Sequence, residues 1–204
     1  MRYWWANQKN DYTAEVTGGF LWSHQRRADG TRNPFYETVR LAEPGDMIFA
    51  YSAATIKAIG IVLSAARKAR RPSLSEEGII PEASEVNAQK QDSPIGWLLD
   101  VAWLELKRPL EPRLYMAILA PLLPSAYAPL TPDGKGIQGG RLLEVPLNLA
   151  RALLQLAGGT DPAKLVNPDW MPHQLKFDFY NVDSEKQENP QNENQQEGEK
   201  EPCI

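Results

Sequence analysis

Two β-prone runs, Asp46–Ser52 and Thr55–Leu63, follow one another with only Ser52 to Ala54 between them. So short a connection predicts an antiparallel hairpin, and that hairpin sets the register for any sheet built around it. In the second run Ala58, Gly60 and Val62 alternate with Ile59 and Ile61. Small side chains then fall on one face, which suits a tightly curved sheet or barrel wall.

The rest of the chain adds elements around this pair. Arg2-Tyr3-Trp4-Trp5-Ala6-Asn7-Gln8 reads as an aromatic strand buried on both faces, with Asn10-Asp11 as a turn after it. Gly18-Gly19 precedes Phe20-Leu21-Trp22-Ser23. Lacking Cβ atoms, the glycines let the backbone approach something closely, and Trp22 beside Ser23 suggests a flat ligand held by stacking and a few hydrogen bonds. Asn33-Pro34 has the pattern of a helix start, with Phe35, Val39 and Leu41 facing inward. Residues 65–94 read as an insertion or long loop, Trp97–Leu106 as a strand, and Met116–Leu123 as a short apolar helix. Asn148 is expected to cap a helix over Leu149–Ala157 with Gly158 just past its end, and Asp161–Val166 to add a further turn.

Charge is distributed unevenly. Residues 1–71 hold 11 Lys and Arg against 6 Asp and Glu, whereas residues 183–204 hold 2 against 7. The basic portion suits phosphate, because Lys and Arg displace the counterions condensed on nucleic acid. The acidic end lacks the apolar residues needed to fold and is expected to be a disordered tail or linker. No run reaches the roughly 18 apolar residues of a membrane span. The single cysteine, Cys203, forms no disulfide framework, so a cytoplasmic setting is expected. His24 and His173 have no companions at metal-ligand spacing, and no nucleophile–base pair or paired carboxylates stand out. The chain is therefore read as a binding protein without catalysis, metal or cofactor.

Five pieces in order carry a family resemblance: Tyr3-Trp4-Trp5-Ala6-Asn7-Gln8, Gly18-Gly19-Phe20-Leu21-Trp22-Ser23, Asn33-Pro34-Phe35-Tyr36-Glu37, Pro44-Gly45-Asp46-Met47-Ile48-Phe49 and Ile56-Lys57-Ala58-Ile59-Gly60. Together they resemble the EVE domain, in particular the EVE domains at the N-termini of HNH-family, modification-dependent restriction endonucleases. The resemblance is dense over residues 2–63 and continues more loosely to about Gly158. It implies an α+β, PUA-like fold: a small mixed β-barrel flanked by short helices, related to YTH domains. It further implies a pocket for 5-methyl- or 5-hydroxymethylcytosine flipped out of duplex DNA, with Trp22 matching the cage tryptophan and Asn7 and Ser23 matching positions near the pocket. Family members of this kind carry a nuclease after the EVE domain, and nothing of that sort follows Gly158. The chain is accordingly expected to be either a reader whose nuclease lies in a longer protein or a partner subunit, or a free-standing reader.

The expected organisation is a base-binding domain over residues 1–160, an extension over 161–182 and the acidic tail over 183–204. Trp22, Ser23, Asn7, Trp97, Tyr36 and Tyr51 are the candidates for the base pocket. His24, Arg26, Arg27, Arg32, Lys57, Arg67, Lys68, Arg70 and Arg71 are those for the DNA backbone. A PUA-like reader of modified RNA or of a nucleotide-like ligand is the alternative, and a scaffold that captures protein partners through its tail is a third.

Overall fold

The computed structural model describes residues 1–27, 30–75, 78–80, 95–137 and 140–158, all within a unit spanning Met1–Trp170. The extension over 161–182, the turn over Asp161–Val166, the acidic tail, His173 and Cys203 lie outside the described residues. So do residues 81–94 of the expected insertion.

The architecture is mixed α and β. The strands are β1 (Tyr3–Asn7), β2 (Phe20–His24), β3 (Met47–Ser52), β4 (Thr55–Val62), β5 (Arg67–Arg70), β6 (Ser73–Ser75), β7 (Gly78–Ile80), β8 (Ile95–Leu110) and β9 (Leu142–Val145). Four short α-helices accompany them among the described residues: α1 (Tyr12–Gly18), α2 (Pro34–Glu37), α3 (Met116–Leu119) and α4 (Leu147–Ala157). The sheet runs β2-β8-β4-β3-β1-β9, with β5 also paired to β8, and it curls into a half-barrel. β6 and β7 form a separate pair.

The hairpin forms as its sequence demands. Ala53 and Ala54 take φ values of 50° and 64°, the left-handed pair of a two-residue turn whose twist matches its strands. β1 pairs with β3 in parallel, Trp4 opposite Ile48 and Trp5 opposite Phe49. Both strands are sealed on each face, the usual state of parallel neighbours. Gly60 lies opposite Trp103, and a Cβ at position 60 would come within 2.5 Å of that indole. The small-residue face of β4 is thus a seat for Trp103. Pro109, which can donate no ladder bond, falls where the β4–β8 register shifts.

Several expectations are corrected. The glycine pair, expected to let a ligand approach the backbone, instead ends α1. Gly19 is left-handed at φ 67° as its C-cap. A Cβ on Gly18 would strike the Phe20 ring at 2.4 Å, so what approaches the backbone there is a neighbour's side chain. Arg67–Arg70 is not loop but strand, because Ala69 turns inward while its charged neighbours stay out. The helix at Asn33-Pro34 starts as expected, with the Asn33 side chain accepting from the Phe35 amide, but it ends within one turn. Val39 is buried as expected, whereas Leu41 is 54% exposed. Asn148 does not cap α4, which begins a residue earlier behind Pro146.

Candidate functional site

Trp22 projects from β2 on the face that also carries Phe20 and His24, since side chains on a strand alternate. Its indole packs with Phe20, Ala69 and Leu98 and donates from Nε1 to the Ala69 carbonyl at 3.2 Å. Gly96 on β8 makes room for it: a Cβ there would meet Trp22 Cε2 at 2.3 Å. The ring is only 3% exposed. Part of its cover comes from exposed side chains. The His24 imidazole meets it edge-on with centroids 4.5 Å apart, and the Arg71 guanidinium stands 5.9 Å from its centroid. Tyr36 on α2 lies 6.0 Å beyond His24. Partial burial, with the Arg71 and Arg141 charges nearby, holds His24 below the ordinary histidine pKa. It is therefore a neutral ring at neutral pH.

A buried polar network underlies this surface. Glu15 on α1 accepts from the Trp22 amide at 2.9 Å and from Gln8 Nε2 at 3.0 Å. Arg141 completes it, pairing with Glu15 through Nη2 and donating to the carbonyls of Trp22 (2.9 Å) and Asn7 (2.7 Å). Burial holds the Glu15 carboxyl above its ordinary pKa, against the opposing pull of the Arg141 guanidinium. Gln8 is fully buried, and its Oε1 has no donor among the described residues. An acceptor left in that state costs about 1–3 kcal/mol.

The other pocket candidates are dispersed. Ser23 and Trp97 are opposite one another across the β2–β8 ladder, so they take the face away from Trp22. Ser23 Oγ donates to the His24 carbonyl. The Trp97 indole donates to Glu37 at 3.2 Å and lies under Arg40 at 4.8 Å and Lys68 at 5.8 Å. It cannot form a cage with Trp22 in this arrangement. Asn7 and Tyr51 line a separate cleft of about 420 Å³. There the Asn7 amide is already committed, donating to the carbonyls of Ile137 (3.2 Å) and Gly140 (2.7 Å) and accepting from Trp5 Nε1 (3.2 Å).

The backbone candidates fall into groups. Arg26, Arg27 and Arg32 are exposed on the loop after β2, with Arg26 donating to the Gly30 carbonyl. Arg67, Lys68 and Arg70 are on β5, and Arg67 pairs with Asp100 at 2.6 Å. Arg71 pairs with Asp11. Lys57, on β4, sits 5.2 Å from the Tyr12 ring. An apolar cleft of about 600 Å³, unforeseen from the sequence, lies between Trp4, Phe35, Leu41, Tyr127 and Leu143.

The sequence matches no family model and no curated protein. Solved structures resemble it loosely. A crystal structure of a Pseudomonas putida protein is 18% identical, covering 76% of this chain and 99% of its own, with a TM-score of 0.44. One of an Agrobacterium tumefaciens protein is 12% identical, covering 81% and 99%, at 0.45. A hypothetical protein from Leishmania major is 11% identical, covering 77% and 94%, at 0.44. No helix among the described residues is long and apolar enough to cross a membrane.

Proposed function

We propose that this chain is an EVE-type, PUA-like reader of modified cytosine in duplex DNA, taking the flipped base onto the indole of Trp22. In this reading it is the specificity module of a modification-dependent restriction system whose nuclease is supplied elsewhere. The order of residues that resembles the EVE domain supports this. The observation that carries it is the Trp22 indole on β2, covered on its outer side by the exposed His24 ring and the exposed Arg71 guanidinium. Cytosine brings a ring flat enough to stack there.

His24 and Arg71 are solvent-reaching side chains, and their rotation off the indole admits the base. Flipping costs a few kcal/mol. Stacking returns about 1–3 kcal/mol, and phosphate contacts supply the rest. A 5-methyl group contributes roughly 0.8 kcal/mol of apolar burial, which amounts to a several-fold preference.

The test is a titration against duplexes that differ only at one cytosine: unmodified, 5-methyl or 5-hydroxymethyl. Tighter binding to a marked duplex is expected. Equal affinity across the panel rejects the reading, and displacement of marked duplex by single-stranded RNA at lower concentration moves the protein to the RNA-reading class.

A further inference from the structure

The cleft that holds Asn7 and Tyr51 is not lined by Trp22, and its own lining is distinctive. Lys9, Arg113 and Lys135 stand around it against one carboxylate, Glu111. Two of these cations have surface partners: Arg113 is 3.8 Å from Glu111, and Lys135 is 2.6 Å from Asp133. Such exposed pairs are weak and exchange readily for a stronger anion. Lys9 has no ion pair among the described residues.

The wall is built rather than incidental. A Cβ on Gly136 would lie 2.4 Å from the Tyr51 ring, and one on Gly134 would lie 2.7 Å from Arg113 Cα. The two glycines thus let the loop that carries Lys135 close directly onto the cleft floor. The Gly136 amide fixes it further by donating to Tyr51 Oη at 3.2 Å. Asn7, which lines the cleft, shares the Arg141 guanidinium with Trp22, so one arginine side chain separates the cleft from the residue assigned to the base.

We propose that this cleft holds a phosphodiester of the strand whose base is read, gripped by Lys9, Arg113 and Lys135. The inference rests on the reader assignment above and adds a subsite to it. A flipped nucleotide leaves its backbone distorted, and a cationic seat next to the base pocket fixes that backbone without reading sequence.

The experiment is a salt titration of binding to marked and unmarked duplexes by the wild type and by the Lys9→Gln, Lys135→Gln double variant. Both lysines are exposed, so the fold is kept. The slope of log affinity against log salt is expected to shrink by about 1–2, as one or two phosphate contacts are lost. Affinity should fall by the same factor for both duplexes. A control with Lys107→Gln and Arg108→Gln, exposed on β8 outside the cleft, should leave the slope unchanged. A wild-type slope in the Lys9, Lys135 variant overturns the subsite alone. An equal drop in the control also overturns it, since net charge then explains the loss. Absence of DNA binding by the wild type removes the reader assignment itself.

Discussion

At the scale of single residues, the best-anchored group is Asp46. It receives the Arg2 amide at 2.7 Å, the Trp4 indole at 2.9 Å and the Glu43 amide at 3.0 Å. Burial raises its pKa, and these donors outweigh burial, so the carboxyl is held below its ordinary value. A carboxylate with a depressed folded pKa stabilises the fold above its unfolded pKa, and that contribution disappears as pH falls through the folded one. Urea denaturation of the wild type should therefore show a loss of stability below about pH 4 that is diminished in Asp46→Asn. At pH 7 the variant should cost roughly 2–3 kcal/mol, because an amide N–H would face donors. Asp46 was visible in sequence only as the start of a strand; its role depends on donors 42 and 44 residues away. Gln8 escaped notice for a related reason. Its position at the end of an aromatic strand could be read, but its burial depends on α1 and on Arg141. Trp22 was legible as a singular residue, whereas its depth was not.

Among the elements, the β3–β4 hairpin is where sequence and structure agree most closely. A two-residue gap between β-prone runs leaves the chain little choice. The residues at the turn are nevertheless alanines with positive φ. Replacing Ala53-Ala54 by Asn-Gly should raise stability by about 1 kcal/mol in chemical denaturation, since those residues favour the same conformation. On β8, Gly96→Ala should be costly, about 3 kcal/mol or more, because the new methyl also meets the Ser23 carbonyl at 2.3 Å. A variant as stable as the wild type would show that Trp22 is not seated on β8 as described. β5 was missed because its pattern, basic residues around one alanine, lacks the β-branched and aromatic side chains that announce a strand. Its pairing with β8 supplies what its composition does not.

For the whole molecule, the decisive contact is Arg141 with Glu15. The sheet path ends at β2 on one side and β9 on the other, and Arg141, just before β9, reaches the backbone of both β1 and β2. One guanidinium thus ties the two margins of the half-barrel to α1. Arg141→Met should cost about 3–5 kcal/mol by stranding a buried carboxylate, and adding Glu15→Gln should recover part of that in a denaturation-based double-mutant cycle. Strict additivity of the two changes would contradict the pairing. No spacing rule links positions 15 and 141, so this closure lay beyond reach of the sequence, although the strands it closes did not.

The claim on which the function depends is that a base leaves the duplex and settles on Trp22. A duplex with 2-aminopurine stacked beside a single 5-methylcytosine tests it directly, because the probe brightens when its neighbour is withdrawn. The expected result is a rise in emission on adding the protein, saturating with binding and much reduced when the cytosine is unmodified. Saturable binding to the marked duplex with no change in emission would contradict it.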